Sequence, residues 1–275
     1  MKPVQSLEQF RELIHEKKEQ IKTLKKNSVL LPATVEKYIS ENRMYFENYD
    51  CGIVFFVDEG KYYLLFYYWD QEARLADFSR EKPILAEELL INADQNVPGL
   101  QADGFLTDAG FRLYRRNLQV EIDLRKQEFE PEEYWENRLK SRNLHLSCDC
   151  APETFERAVK LWDRYLKMTD IPLDHRSFHE GDHLLSIQSA SGETAAVHWW
   201  RNSQRASEGR HTVTDPAYYR QGLAFTMLNI WCILVRKQGI ARGFTWISDE
   251  NEKSLALYRK TGFFTNGRIS IQYMK

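Results

Sequence analysis

The chain has 275 residues, of which 43% are hydrophobic and 28% charged, and its formal net charge is −2. That length suits one large domain or two small ones, and the composition is ordinary for a globular protein. A nearly balanced charge gives no reason to expect nucleic acid or an anionic membrane as a partner. No apolar run approaches the roughly 18 residues of a membrane span, and no secretory signal is visible. The four cysteines form no dense framework, so we expect reduced thiols and a cytoplasmic protein.

The first half of the chain predicts a helix followed by strands. Apolar residues recur at helical spacing from Leu7 to about Lys26, which predicts one apolar helix face. The run Gly52–Trp69 predicts two strands joined at Asp58-Glu59-Gly60, a hairpin signal. Residues 83–91 fit either a strand or a helix, and residues 118–124 alternate like a half-buried strand.

An acidic stretch without a clear period, residues 126–136, predicts a connection between two domains. We therefore expect an N-terminal α/β domain over residues 1–125, a linker over residues 126–142 and a second domain over residues 143–275.

The second half alternates strands with helices, which indicates a mixed α/β sheet. Its helices show apolar stripes at helical spacing, and Gly239 suits the end of the longest one. The predicted strands are residues 144–146, 184–189, 194–201, 210–214, 244–248 and a last one around 269–273, and the predicted helices start at Pro152, Leu223 and Glu252.

The segment Thr214–Leu228 (TDPAYYRQGLAFTML) is the first that points to chemistry. A strand ends, Pro216 turns the chain, and Gly222 allows close backbone approach before a helix begins. Backbone N–H groups at a helix start have no partner within the helix and bind anions, and Arg220 adds a donor for phosphate oxygens. The same pattern also fits an ordinary strand–turn–helix connection.

The segment Asn251–Phe263 (NEKSLALYRKTGF) is the second. Asn251 and Tyr258 lie seven residues apart, close to two helical turns, so their side chains can point the same way. An amide can bond polar ligand atoms, and a phenol can protonate a thiolate leaving group. Alternatively, Asn251 caps a helix and Tyr258 is half-buried packing.

Taken together, the two segments resemble the GNAT superfamily of N-acetyltransferases. The order is a strand, DPxYxRxGLA, a helix, a strand, NxxSxxLYxKxGF and a final strand, over about residues 195–275 and more weakly back to residue 143. The resemblance implies a GNAT-like central mixed sheet flanked by helices. It also implies that acetyl-CoA is the co-substrate and that a primary amine is the acceptor.

In that family an R/Q-x-x-G-x-G/A loop wraps the coenzyme pyrophosphate. The matching residues here are Tyr219, Arg220, Gln221, Gly222, Leu223 and Ala224. Tyr219 stands where the family usually has Arg or Gln. Because backbone donors bear most of the binding, we expect the site to survive, with Arg220 partly replacing the missing side chain.

The resemblance also assigns residues outside this loop. It implies that strand 210–214 separates from strand 244–248 and that the acyl thioester enters the gap and bonds the backbone there. Tyr258 resembles the family's tyrosine that protonates the departing thiolate. The further coenzyme contacts that it implies are Val213, Thr214, Asn251 and Ser254.

The general base stays open between Glu208, His211 and His198. No carboxylate is expected inside strand 210–214, and the histidines are candidates because their ordinary pKa lies near neutrality. A packed or surface histidine fits each position equally well, and some members of the family use a chain of waters instead.

Three further histidines, His175, His179 and His183, are spaced by four, as two metal ligands on a helix would be. Pro172 and Gly181 argue against a helix there, so we expect a structural or substrate-covering loop and no metal.

Residues 103–122 (DGFLTDAGFRLYRRNLQVEI) faintly resemble the end of the second domain, which suggests that residues 1–125 are a degenerate GNAT copy; an unrelated α+β cap is the alternative. No glycine in this half opens a convincing helix after a strand, so we expect no coenzyme there.

The sequence therefore predicts an acyl-CoA N-acetyltransferase that acts by direct attack of the amine. A non-catalytic module that binds acyl-CoA or a partner protein is the alternative, and a longer acyl or aminoacyl donor is a third. The expected partners are acetyl-CoA and an amine-bearing acceptor, without nucleic acid or membrane, and a homo-oligomer is left open.

Overall fold

A computed structural model describes residues 1–27, 30–78, 80–91, 104–148, 151–165, 178 and 181–275. The chain divides into two compact units. Unit 1 comprises residues 1–117 and 267–275, and unit 2 comprises residues 118–266. Within the described ranges, no helix combines the length and the apolarity needed to cross a membrane.

Unit 1 contains three helices and six complete strands in its described part, and it shares two strands at its boundaries. Its helices are α1 (Leu7–Gln20), α2 (Pro32–Ser40) and α3 (Gly104–Asp108). Its strands are β1 (Lys2–Pro3), β2 (Leu24–Lys26), β3 (Met44–Tyr49), β4 (Gly52–Asp58), β5 (Tyr63–Asp70) and β6 (Ile84–Leu90), with the first part of β7 (Arg112–Asp123).

Unit 2 takes the second part of β7 and continues to the first residues of the last strand. Its helices are α4 (Glu132–Lys140), α5 (Pro152–Asp163), α6 (Leu223–Lys237) and α7 (Glu252–Lys260). Its strands are β8 (Leu144–Ser147), β9 (Asp182–Ser189), β10 (Thr194–Asn202), β11 (Ser207–Thr214) and β12 (Arg242–Ser248), and β13 (Phe264–Met274) starts there. Residues 267–274 of β13 belong to unit 1.

The sheet of unit 1 has the strand order β1-β3-β4-β5-β6-β13. Most neighbours are antiparallel, but β5 and β6 run parallel. The aromatic side chains of β5 fill the core of this unit: Phe66 and Tyr68 pack in one cluster with Phe10 and Phe55. Burying such rings contributes about 1.5–3 kcal/mol each to the stability of a core.

The sheet of unit 2 has the order β7-β12-β11-β10-β9-β8, with β11 and β12 parallel. Successive residues of a strand point to opposite faces, so His198 and Trp199 of β10 mark the two faces. Trp199 packs with α5, whereas His198 packs on Trp231 of α6. Helices α5 and α6 therefore cover opposite faces, and the expected mixed α/β architecture is confirmed.

Two segments differ from the sequence-based expectation. Helix α1 ends at Gln20, because Ile21 is already extended, and residues 24–26 form β2 instead of a last helical turn. The expected linker contains α4, which begins at Glu132. Its Trp135 and Leu139 are buried at i, i+4 spacing against β8 and α6.

Candidate active site

The parallel strands β11 and β12 pair over only three residues and then separate. Ser207, Glu208 and Gly209 pair with residues 243–245, whereas β11 continues to Thr214 and β12 to Ser248. Thr245 Oγ1 donates to the Gly209 carbonyl, 2.6 Å away, at the last paired position. The strand separation expected from the sequence is therefore present, and it begins after Gly209.

A bulge in β11 lies at the same point. Trp199 of β10 pairs with His211 and Trp200 pairs with Gly209, so Arg210 has no residue opposite. A bulge bends its strand and adds twist, and it often re-aims side chains beside active sites. The bulge thus accounts for the departure of β11 from β12.

The start of α6 lies beyond the end of β11. Pro216–Tyr218 form a 3₁₀ turn whose first N–H, from Ala217, donates to Asp215 Oδ1 at 2.9 Å. Arg220 and Gly222 then take left-handed φ angles of 64° and 73°. Gly222 is the N-cap residue, and no side chain caps the helix. The first N–H groups of α6 are therefore available to an anion, and the helix dipole favours its charge.

Two arginines, one within α4 and one just after it, lie beside this helix start. Arg142 donates to the Gln221 carbonyl. Arg138 Nη2 lies 3.5 Å from the position that a Cβ on Gly222 would occupy. The sequence does not indicate either arginine as a site residue, because it predicts a linker around α4.

The loop residues differ in their exposure to solvent. Tyr219 is 58% exposed, and Arg220 is exposed as well. Leu223 is buried as the first residue of α6, and Ala224 is half-buried. The segment Tyr219–Ala224 thus presents its polar backbone and the Arg220 side chain outward, with one apolar anchor inward.

Tyr258 of α7 lies at the strand opening. The side chain is 6% exposed, and its ring makes an edge contact with Phe263 at 5.0 Å between centroids. Burial raises the pKa of Tyr258 to about 12, and the neighbouring hydroxyls of Thr212 on β11 and Thr245 on β12 act in the opposite direction. The phenol is therefore protonated at neutral pH and can donate a proton between the two strands.

Asn251 and Ser254 are linked to each other at the start of α7. Asn251 is the N-cap residue, and its Oδ1 accepts a hydrogen bond from the Ser254 backbone N–H at 3.1 Å. The capping role considered for Asn251 from sequence is thus present. Asn251 is exposed and precedes Tyr258 on the same helix by two turns.

Glu208, Arg210 and His211 lie on the face of the sheet that α5 covers. Arg210 forms an ion pair with Glu208 at 3.0 Å and lies over the Trp199 ring. The His211 ring contacts Trp162 of α5 edge-on at 4.7 Å. Glu208 is part of β11, which starts at Ser207 rather than at Arg210 as expected. Two of the candidate bases therefore lie on the face opposite to α6 and Tyr258.

His198, the third candidate base, is enclosed on the α6 face. Its Nδ1 lies 2.8 Å from Thr212 Oγ1, and its ring packs between Trp200 and Trp231. Burial lowers the pKa of His198 to about 3. The neutral ring is therefore a poor base near pH 7, and it fixes Thr212 beside Tyr258. The sequence carried no sign of this partnership, which joins two strands.

The histidines considered as metal ligands are only partly described. His183 stacks on Trp200 at 5.1 Å between ring centroids, and burial lowers its pKa. His175 and His179 lie outside the described residues.

Comparison with known proteins identifies the fold of the chain. No protein-family model matches the chain, and no curated protein matches it. A tandem GNAT protein from the clavulanic acid biosynthesis pathway superposes with a TM-score of 0.57 at 10% identity, covering 100% of this chain and 97% of that one. The chain has the fold of the GNAT N-acetyltransferases.

Two further GNAT structures have a similar fold. A GCN5-related N-acetyltransferase from Sphaerobacter thermophilus has a TM-score of 0.53 at 12% identity, over 82% of this chain and 76% of its own. One from Kribbella flavida has the same TM-score and identity, over 84% and 89%. The match to a tandem protein over the whole length extends the GNAT fold to the first half of the chain.

The buried His198 makes stability depend on pH. Its pKa is about 3 in the folded chain and about 6.5 when unfolded, so the unfolded state binds one more proton between these values. We expect this group to lower the free energy of unfolding by up to about 1.4 kcal/mol per pH unit as pH falls below 6.5. Urea unfolding at pH 7, 5.5 and 4.5 measures this slope, and His198→Asn should make it shallower. Equal slopes in the two proteins would contradict the burial of a neutral ring.

Proposed function

We propose that unit 2 transfers an acetyl group from acetyl-CoA to a primary amine. One observation carries the proposal: a protonated, buried phenol, Tyr258, lies where β11 and β12 separate, and β11 leads on to the start of α6, where no side chain caps the helix. Acetyl-CoA needs a channel for its pantetheine arm, an anion site for its diphosphate and an acid that protonates the leaving thiolate. This arrangement supplies each of them.

The coenzyme fits as an additional segment along β11. Its diphosphate would accept hydrogen bonds from the start of α6, at Gly222–Ala224, with Arg220 beside it. Its pantetheine amides would bond the free edge of β11 at Val213 and Thr214. The thioester would then reach the bulge at Arg210, where backbone N–H groups can stabilise the oxyanion that develops on the acyl carbonyl.

The reaction is a direct acyl transfer. The amine nitrogen attacks the thioester carbon, the C–N bond forms, and the tetrahedral intermediate collapses with cleavage of the C–S bond. The leaving thiolate takes its proton from Tyr258. The amine loses a proton to a base on the opposite face, and holding the two reactants together supplies much of the rate.

His211 is the base that we favour. Glu208 is held by Arg210, and protonation of this carboxylate would break the ion pair. His198 is neutral but has a pKa too low for efficient proton uptake near pH 7. His211 lies on the face opposite to Tyr258, which separates the base from the acid.

Unit 1 has the same parallel strand pair, but its gap is filled by its own chain. β5 and β6 pair only over Tyr63–Leu65 with residues 84–86. Beyond that, Asn27 donates to the Leu65 carbonyl at 2.8 Å and accepts from the Tyr67 N–H at 2.9 Å. β2 then pairs with Tyr68–Asp70. β4 takes the other edge of β5 throughout, so Asn27 and β2 lie on the β6 side.

The gap of unit 1 is also closed by side chains. The Tyr67 hydroxyl donates to Glu88 Oε1 at 2.6 Å, and Lys25 Nζ lies 3.4 Å from the same oxygen. A pantetheine would have to displace these bonds and β2. We therefore propose that only unit 2 binds the coenzyme.

Gly222 and Gly239 form a matched pair at the two ends of α6. Both have positive φ, 73° and 80°, so a β-branched residue strains either one. We expect Gly222→Val to weaken acetyl-CoA binding by at least about tenfold, because the backbone donors of the loop are displaced. Gly239→Val should lower stability similarly and leave the affinity unchanged. Isothermal titration calorimetry measures the affinity of both variants for acetyl-CoA. Unchanged affinity in Gly222→Val would exclude the loop from the coenzyme site.

Tyr258→Phe removes the proposed acid and keeps the ring. Turnover should fall by about 10²-fold with little change in coenzyme affinity, because the proton is delivered only as the thiolate leaves. Tyr49→Phe in unit 1 removes a phenol that donates to Glu47 and serves as the control. Steady-state kinetics with a panel of amines, together with the affinity for acetyl-CoA, tests this. Wild-type turnover in Tyr258→Phe would exclude the residue from the mechanism.

The filled gap of unit 1 predicts one coenzyme site per chain. Calorimetric titration of acetyl-CoA into the intact chain should give a stoichiometry of one, and Gly222→Val should weaken all of the observed binding. A stoichiometry of two, or a second site unaffected by Gly222→Val, would show that β2 does not block unit 1.

A further inference from the structure

The Tyr258 phenol faces one threonine from each of the two separating strands. Thr212 lies on β11 and Thr245 on β12, and both hydroxyls neighbour the Tyr258 hydroxyl. Once Tyr258 has given its proton to the leaving thiolate, a buried phenolate remains. A buried anion is costly unless a neighbouring group donates a hydrogen bond to it. The strength of the acid therefore depends on which threonine can donate.

Thr245 has its single hydrogen engaged elsewhere. Its Oγ1 donates to the Gly209 carbonyl, 2.6 Å away, at the last residue pair of β11 and β12. A hydroxyl has one hydrogen and two lone pairs, so this bond leaves only lone pairs on the Thr245 oxygen for other partners. A hydrogen bond from a threonine to the phenolate must therefore come from Thr212.

His198 decides whether Thr212 can donate. Its Nδ1 lies 2.8 Å from Thr212 Oγ1, and the two residues pair across β10 and β11. A neutral imidazole carries one N–H, on either nitrogen. With the hydrogen on Nδ1, Thr212 accepts from His198 and keeps its own hydrogen for Tyr258. With the hydrogen on Nε2, Thr212 donates to Nδ1 and has none left for the phenolate.

The surroundings of the His198 ring favour a hydrogen on Nδ1. Nε2 is buried and has no hydrogen-bond partner among the described residues. An N–H placed there would be a buried donor without an acceptor, which is costly and rare in proteins. The backbone of His211, by contrast, hydrogen-bonds the ring and favours a ring proton. Since Nε2 makes no such bond, that proton belongs on Nδ1.

A row of aromatic rings fixes the positions of the imidazole and the phenol. Trp231 of α6 lies 4.9 Å from the His198 ring and stacks on Phe263 at 5.8 Å between centroids. Phe263 in turn contacts the Tyr258 ring at 5.0 Å. Rings packed this closely leave little space for a side chain to turn away. The histidine and the phenol are therefore held by the same cluster.

We propose that His198 is a positioning residue that makes Thr212 the hydrogen-bond donor to the Tyr258 phenolate. His198 Nδ1–H donates to Thr212 Oγ1, and the Thr212 hydroxyl donates to Tyr258 Oη. This chain stabilises the phenolate that remains when the O–H bond of Tyr258 breaks and the S–H bond of coenzyme A forms. Its catalytic role rests on the acyl transfer proposed above, whereas the direction of its hydrogen bonds can be measured without substrate.

The first experiment places 3,5-difluorotyrosine at position 258 and follows its ionisation by fluorine NMR, because this phenol ionises near neutral pH. Thr212→Val should lower its acid dissociation constant about tenfold, the lower end of the effect of one hydrogen bond to a charged group. His198→Phe keeps a ring in the stack, removes both nitrogens and should lower the constant as well. His198→Asn retains an N–H donor near the position of Nδ1 and should restore the constant at least in part.

Thr194→Val is the matched control. Thr194 is a half-buried threonine of β10, and its hydroxyl makes no hydrogen bond within the described part of the chain, so the constant should not change. Cys232 of α6 also lies near Tyr258, but burial raises the pKa of its thiol, which stays neutral during the titration. An unchanged or higher constant in Thr212→Val would overturn the proposal, because Thr212 would then not donate to the phenolate. An unchanged constant in His198→Phe would remove His198 from this role.

Kinetics tests the catalytic part. In single turnovers with acetyl-CoA and the best acceptor of the amine panel, Thr212→Val should slow coenzyme A release about tenfold and leave acetyl-CoA affinity unchanged. In the Tyr258→Phe background the same change should have no further effect, because Thr212 acts through the phenol.

The two proposals fail in different ways. An equal loss from Thr212→Val in both backgrounds would show a purely structural role and overturn the inference, while leaving acyl transfer intact. A wild-type chain that transfers no acetyl group would overturn the proposed function, and the fluorine titration would still decide the direction of the hydrogen bonds. Circular dichroism confirms that each variant is folded.

Discussion

The parallel pairing of β11 with β12 stops at Gly209, and the candidate site depends on that break. Backbone groups of a strand inside a sheet normally find partners on both edges. Past Gly209 the β12 edge of β11 is open, and the bulge at Arg210 turns the strand aside. The opening brings hydroxyls from both strands next to Tyr258. Without the break, neither a channel nor a place for the phenol would exist.

The two units share a separating pair of parallel strands but differ in whether the gap between those strands is filled. Both contain a parallel pair that separates after three residue pairs. In unit 1 the free edge is satisfied internally, by the Asn27 amide and by β2. In unit 2 the corresponding edge lies next to an uncapped helix start and a buried acid. The difference lies in a few residues that fill the gap, whereas the strands are arranged alike.

Much of the fold followed from local pattern. The apolar stripe of α6 and the glycine at its start have direct sequence signals, and the helix forms where they predict it. The sequence predicts a linker where α4 forms, because only Trp135 and Leu139 show helical periodicity there and the acidic residues around them are typical of linkers. The predicted first helix is too long for a similar reason: Leu24 continues the apolar spacing, although it lies in β2.

The candidate site was predictable only where one segment carries it. Gly222 and Tyr258 lie in contiguous motifs, so their types and spacing pointed to them. Thr212, His198 and Arg138 become relevant through tertiary contacts that join separate strands and helices. A bulge leaves no mark in a single sequence either, because an extra residue in one strand shows only when its partner strand is known.

The position of residues 267–275 in unit 1 bears on how the chain folds. Ser270 bonds Glu87, 183 residues away in sequence, and β13 pairs with β6 along six residues. During synthesis, the first half emerges while this strand of its sheet is still unmade. Such distant pairing slows folding, because a long loop must close before the contacts form. Until β13 is made, the edge of β6 is exposed and can pair with other strands. The first half of the chain therefore needs protection from aggregation before release from the ribosome.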